Sequence, residues 1–159
     1  MNKYWILRYI SLVALILLAP PVVAEAPDGY PFQSFDKAMK QAKSEAKLLF
    51  VYFGRYGCGY CEKTNKEAFS DPGVKKRYSD NYILAYVDSE SGKRLRLPSG
   101  ERITERELAI HYKAFVTPVF SFVAPDGNAI LRLIGVQSKD DLLNADARVQ
   151  DVLNKTGAS

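Results

Sequence analysis

The sequence predicts an α/β domain in which one mixed sheet carries helices on both faces. Three observations point there. "LLFVYF" (Leu48 to Phe53) and "YILAYVD" (Tyr82 to Asp88) are apolar runs of strand length, separated by helix-forming sequence, which suits a βαβ unit with parallel strands. "PVFSFVAPDGNAILRLIG" holds two strand-like runs around Pro125, Asp126 and Gly127, the turn chemistry of a β-hairpin. Amphipathic stretches precede, separate and follow these runs, so the sheet gains cover on both sides.

Each element has a local reason. In "SFDKAMKQAKSEAK", Phe35, Ala38, Met39, Ala42 and Ala46 recur at helical spacing, with Ser34 as candidate N-cap. Leu48 to Phe53 is continuously apolar, as a strand buried on both faces requires. "CEKTNKEAF" is rich in helix formers and stops at Asp71 and Pro72, which predicts a helix from about Gly59 to Phe69. "PGVKKRYSDN" predicts a short helix with Pro72 in its first turn. The polar, basic "SESGKRLRLPSGER" reads as a loop or small surface hairpin. Thr104 and Glu107 stand at capping-box spacing before Leu108, Ala109 and Tyr112. A last helix runs from Ser138 to about Leu153.

The first residues bear on compartment. Lys3 and Arg8 precede an apolar run from Ile10 to Ala19, and small residues lead to "VVA" at Ala24 and "AEA" at Ala26. This is the pattern of a secretory signal peptide over residues 1–24, with cleavage after Ala24 or Ala26, leaving one domain over 27–159. The run is short for a bilayer span of roughly 20 residues, and an uncleaved N-terminal anchor is the alternative. The "KTGAS" end carries no lumenal retention signal. The expectation is a bacterial, periplasmic protein in a compartment where disulfides persist. The formal net charge of +4 becomes milder once Lys3 and Arg8 are removed, so nucleic-acid binding is not inferred.

The only two cysteines, Cys58 and Cys61, lie in "FVYFGRYGCGYCEK", three residues apart and just beyond the first predicted strand. If the strand ends near Phe53 and a helix starts near Gly59, Cys58 sits at a helix N-terminus, where unpaired amides and the helix dipole favour a thiolate. Cys61 lies one turn later, within reach but tending inward. Cys58 is then the attacking thiol and Cys61 the resolving one, in an exchange that passes through a mixed disulfide. No bound cofactor is required. A structural zinc site usually takes four ligands, and His111 is the only histidine, so no metal is expected. Covalent haem needs His after the second cysteine, and Glu62 stands there. An inert disulfide stays open as the alternative, although so small a loop gains little from cross-linking.

Other residues carry two readings each. Tyr60 either shapes a partner surface or covers the helix start. Arg55 either raises the local positive potential or is a solvated loop charge. His111 is read as partly exposed and structural. Lys93, Arg94, Arg96, Arg102 and Arg106 form a basic cluster, either a solvated loop or a docking surface for an acidic partner.

A CxxC after a buried strand, a Thr-Pro opening a later strand, an Asp-Gly hairpin and Gly135 before a final helix together resemble the thioredoxin superfamily over about Phe35 to Leu153. The resemblance implies the thioredoxin fold and makes Thr117-Pro118 the family's cis-proline element, beside the cysteines and offering backbone groups to an extended substrate strand. Within the superfamily, "FGRYGCGYCEKTNKEAFSDPGVKKRYSDNYI" and "LPSGERITERELAIHYKAFVTPVFSFVAPDG" most resemble exported thioredoxin-like proteins of the SoxW kind, found with bacterial sulfur-oxidation systems. The Gly-Tyr between the cysteines and the Thr before the proline are similar to periplasmic disulfide isomerases of the DsbC kind. Many cytoplasmic members carry Trp before the first cysteine and a buried Asp further upstream, where this chain has Gly57 and Tyr52. Glu62 or water is then left to take the proton of Cys61. The function expected is a periplasmic thiol:disulfide oxidoreductase acting on disulfide-containing exported proteins, supplied with electrons by a membrane-borne thiol reductant. A non-enzymatic binding or chaperone module with an inert disulfide is the alternative.

Overall fold

The computed structural model describes residues 26–156. The candidate signal peptide lies outside the described residues. The elements in chain order are α1 (Phe35–Glu45), β1 (Leu49–Gly54), α2 (Gly59–Thr64), a π-helical turn (Asn65–Phe69), α3 (Pro72–Asn81), β2 (Ile83–Asp88), β3 (Arg94–Arg96), β4 (Arg102–Thr104), α4 (Glu105–His111), β5 (Val119–Val123), β6 (Ala129–Ile134) and α5 (Lys139–Thr156).

Four strands form the main sheet in the order β2-β1-β5-β6. β1 pairs parallel with β2 and antiparallel with β5, and β5 continues through the Asp126-Gly127 hairpin into β6. Every residue of β1 is buried, as the continuous apolar run anticipates for a central strand. Its side chains alternate between two cores. Leu49, Val51 and Phe53 face a layer formed with Phe35, Met39 and Leu108 from α1 and α4. Phe50 and Tyr52 face the other, with Phe69, Tyr78 and Leu142 from the π turn, α3 and α5. Helices therefore cover both faces, as the sequence predicts.

The second core is aromatic. Phe50 meets Tyr78 edge-on at 4.8 Å between ring centroids and stacks near-parallel on Phe120 at 5.8 Å, the offset geometries that ring quadrupoles favour. Tyr78 and Tyr82 are buried with their hydroxyls satisfied, by the Leu142 carbonyl at 2.8 Å and by Asp146 at 2.6 Å.

The structure refines the sequence reading in four places. The basic segment is a true hairpin, with Leu95 opposite Ile103 and Arg96 opposite Arg102. Ser34 occupies the α1 N-cap, but its hydroxyl makes no capping bond. The predicted Gly59–Phe69 helix widens into a π turn at Asn65. Gln33 bridges to β2, its N–H donating to the Leu84 carbonyl and its carbonyl accepting from Tyr86, so the segment before α1 covers the sheet edge. The capping box at α4 forms as the spacing predicts: the Thr104 hydroxyl accepts the Glu107 N–H, and the Glu107 carboxylate accepts the Thr104 N–H.

Candidate functional site

β1 delivers the chain to the site. Beyond Gly54, the exposed residues Arg55, Tyr56 and Gly57 turn the backbone out of the sheet. Gly57 has φ +63°, a left-handed conformation that a Cβ would strain, which is why glycine suits the position before the first cysteine. Cys58 then adopts extended backbone (φ −83°, ψ 94°) as the N-cap of α2, and its Sγ accepts the Cys61 N–H at 3.1 Å. The two cysteines are joined as a disulfide with their Cα atoms 5.2 Å apart.

The second wall comes from β5. Antiparallel pairing puts Val119 opposite Phe53, so the residues just before β5 lie beside the end of β1. Those residues are Thr117 and Pro118, joined by a cis peptide bond. Thr117 Oγ1 donates toward Cys58 Sγ at 3.3 Å. The Pro118 carbonyl accepts the Gly135 N–H at 2.8 Å, which fastens the proline to the end of β6.

The cysteines are 4% and 7% exposed, so accessibility does not divide their roles. Hydrogen bonding does. Cys58 Sγ has a backbone N–H and a hydroxyl aimed at it, both donors that stabilise a thiolate on this sulfur once the disulfide is opened. The positive end of α2 adds to this. The arrangement is that of a thiol pair suited to disulfide exchange, with Cys58 the better anion.

One cleft opens on the pair and a second begins at Thr117. A cavity of about 650 Å³ touches both cysteines and is walled by Glu62, Asn65, Phe69 and Tyr86. A smaller one of about 260 Å³ starts at Thr117 and runs past Val116, Phe115 and Ile110 to Arg55 and Arg106. Phe115 and Val116 are 72% and 57% exposed, apolar surface presented immediately before the proline.

Of the residues singled out from sequence, Cys58, Cys61, Thr117 and Pro118 come together. Tyr60 does not join them: it is 69% exposed and lines neither cleft. Arg55 pairs with Glu90 at 3.7 Å. His111 is exposed at the end of α4, its ring 5.3 Å from that of Tyr112. Among the described residues, no group of three or more His, Cys, Asp or Glu side chains could hold a metal ion.

Sequence reasoning missed the floor beneath Cys61. The Tyr52 hydroxyl, on a fully buried side chain, donates to Asn65 Oδ1 at 3.1 Å and lies 3.4 Å from the Cys61 carbonyl. Burial, reinforced by the neighbouring Tyr86, pushes the Tyr52 phenol far above its ordinary pKa, so it stays neutral. Glu62 is exposed at the mouth of the larger cavity. Tyr52 and Asn65 stand 13 residues apart, so no local pattern announces their pairing.

Comparison with known proteins agrees with this geometry. The thioredoxin-like domain family matches residues 35–149. The solution structure of a thioredoxin from Thermus thermophilus is similar, with a TM-score of 0.62 and 27% identity over 76% of this chain and 86% of that one. A putative disulphide-isomerase from Bacteroides thetaiotaomicron gives 0.60 and 28%, covering 79% and 97%. The C-terminal domain of DsbD from Neisseria meningitidis, in its reduced form, shares the fold at 0.55 and 21%, covering 70% and 90%. An uncharacterized protein of Archaeoglobus fulgidus is 26% identical over 80 residues, 50% of this chain, and the chain spans 63% of that relative's length. With its cysteine pair at the helix start and its sheet order both accounted for, this chain belongs to the family of thioredoxin-like domains.

Proposed function

We propose that the protein is a periplasmic thiol:disulfide oxidoreductase that reduces or isomerises disulfides in exported proteins. The observation that carries this is the convergence of the Cys61 N–H and the Thr117 hydroxyl on Cys58 Sγ. In the reduced state the Cys58 thiolate attacks one sulfur of a substrate disulfide, forming a mixed disulfide and releasing the other sulfur as a thiolate. The Cys61 thiolate then attacks Cys58 Sγ, closing the Cys58–Cys61 disulfide and releasing the second substrate thiolate, so two electrons pass to the substrate. A dithiol reductant in the membrane restores the pair. Thr117 and Pro118 hold the substrate backbone, and Tyr60, exposed on α2 between the cysteines, meets the partner's surface outside the clefts. The basic and apolar leader over residues 1–24 supports export. Likeness to a protein described as a putative disulphide-isomerase supports the chemistry. The resemblance to the SoxW kind extends the proposal to exported proteins of sulfur oxidation.

A second reading has one observation in its favour. Both cysteines are almost fully buried while Phe115, Val116 and Tyr60 are exposed, as a binding or chaperone module with an inert disulfide would have them. Equilibration of the full chain in glutathione buffers separates the two. A potential near about −270 mV fits a reductant, and one between about −180 and −120 mV fits isomerase or oxidant work. A pair that refuses to exchange while the protein stays folded leaves the binding module. Cys61→Ser should accumulate a mixed disulfide through Cys58, and Cys58→Ser should abolish turnover.

A further inference from the structure

The β3–β4 hairpin is amphipathic across its two faces. Leu95, with Leu97 and Ile103, packs on the core beside α1 and α4. Because side chains alternate along a strand and paired residues share a side, Arg94, Arg96 and Arg102 all project from the opposite face. All three are exposed. Arg96 stands directly opposite Arg102, a like-charge cross-strand pair that works against the hairpin. Among the described residues, none of the ion pairs uses these three arginines. Glu107 feels the charge of Arg94, but its carboxylate is held at the helix cap, where Oε2 accepts from the Thr104 N–H and hydroxyl at 2.7 and 2.8 Å, and it forms no ion pair with that arginine. Among the described residues, these three guanidinium groups, held together on a short ribbon, take part in no side-chain hydrogen bond or ion pair.

The helix that follows the ribbon is tied to the loop before Cys58. Arg106, in the first turn of α4, donates to the Glu90 carbonyl at 2.6 Å, and Glu90 pairs with Arg55 in the loop before Cys58. The smaller cleft links Arg55 and Arg106 to Thr117 through exposed Ile110, Phe115 and Val116. We propose that the arginine face of the β3–β4 ribbon docks an acidic segment of the protein whose disulfide Cys58 attacks, a reading that rests on the exchange activity proposed above. Planar guanidinium forks match carboxylates bidentately. The exposed apolar side chains of Ile110, Phe115 and Val116, in the cleft that ends at Thr117, suit the side chains of a polypeptide, which favours a protein over a nucleic acid or a lipid surface. Charge complementarity of this kind acts through steering and register, so it is salt-sensitive.

The test uses two peptides with the same internal disulfide, one bearing a glutamate-rich tail and the other a serine tail, reduced by the pre-reduced full chain. The glutamate peptide should react about five-fold faster at low ionic strength. High salt should erase the advantage, and so should the combined substitution Arg94→Ser, Arg96→Ser and Arg102→Ser, with the serine peptide's rate unchanged. Removing the facing arginines should not lower the melting temperature, which separates lost docking from lost folding. Equal rates for the two peptides, or an advantage that survives the triple substitution, would overturn the proposal. Arginine-dependent binding to phosphatidylglycerol vesicles with equal peptide rates would do so too, in favour of a membrane. If neither peptide is reduced, the exchange reading itself fails. Fluorescence anisotropy of the glutamate peptide then decides docking separately: binding that needs the three arginines sustains it, and absence of binding sinks it.

Discussion

Thr117 Oγ1 lies 3.3 Å from Cys58 Sγ although 59 residues separate the two in sequence. The register of β1 against β5 makes this contact, since Val119 opposite Phe53 leaves Thr117 no other place than beside the helix start. A hydroxyl donating to sulfur stabilises a thiolate more than a thiol, because hydrogen bonds to an ionised acceptor are the stronger ones. Thr117→Val keeps the branched shape and removes the donor. The Cys58 thiolate should then form less readily, by the worth of one charge-assisted bond. The pH dependence of iodoacetamide alkylation on the reduced protein reads this directly, and an unmoved profile would deny the hydroxyl its role.

Tyr52 offers a complementary test. Its phenol, raised by burial and by Tyr86 beside it, does not ionise in the range where the cysteines titrate. Tyr52→Phe should cost about 1 kcal/mol in chemical denaturation, the net value of one buried hydrogen bond. The pH profile of Cys61 alkylation should stay where it is. A displaced profile would mean that the phenol exchanges protons with the pair, and the neutral, positioning role would have to be given up.

The contrast between Thr117 and Tyr52 shows what the sequence makes legible. The strands announce themselves because a buried central strand must be apolar along its whole length, as Leu49 to Phe53 is. The helix cap at Thr104 is local, written within four residues. Cys58 and Cys61 are likewise local, and Thr117-Pro118 came through its resemblance to a family element. Contacts that join distant elements leave no local mark. Asn65 beneath Cys61 and the edge-covering Gln33 depend on tertiary placement. So does the docking of Arg106 on Glu90, since nothing near either residue in sequence specifies its partner. The hairpin was half-legible: Gly92, Pro98 and Gly100 signal turns, but too few apolar residues lie between them to announce a strand pair.

Asp146 anchors α5 to α3 from inside the protein. It is 1% exposed, and its carboxylate accepts from the Tyr82 hydroxyl at 2.6 Å, from Arg77 at 3.1 Å and from Asn81 at 3.4 Å. Replacing it by alanine leaves a buried phenol and a guanidinium without their acceptor, which should cost about 3 kcal/mol in urea denaturation. Asp146→Asn keeps an acceptor and should cost less. Combined with Tyr82→Phe, Asp146→Ala should lose less than the sum of the single effects, because both remove the same bond. Strict additivity would show that the pair is not coupled.

Asp71 and Lys139 join the start of α3 to the start of α5, and they give the stability of the fold a pH dependence at both ends. The Lys139 ammonium donates to Asp71 Oδ2 at 2.8 Å, while Asp71 Oδ1 accepts the Gly73 and Val74 N–H groups at 2.8 and 3.0 Å. The Lys139 bond first, and the backbone N–H groups after it, hold the Asp71 carboxyl below its ordinary pKa, and Asp71 holds the Lys139 ammonium above its own. A carboxyl lowered on folding stabilises above its unfolded pKa of about 3.9, and that stabilisation is lost as pH falls through the lower folded value. An ammonium raised on folding stabilises below its unfolded pKa of about 10.4, and that stabilisation is lost as pH rises through the higher folded value. Asp71→Asn, which keeps an oxygen for the cap, should therefore melt below the parent across the neutral range and converge with it in acid. Lys139→Met removes the same pair and should converge with the parent in strong acid, where Asp71 is protonated, and again in strong alkali, where the ammonium is lost. Melting curves collected across pH check both, and a gap that stays constant from acid to alkali would show that the lost bond is not one between charges.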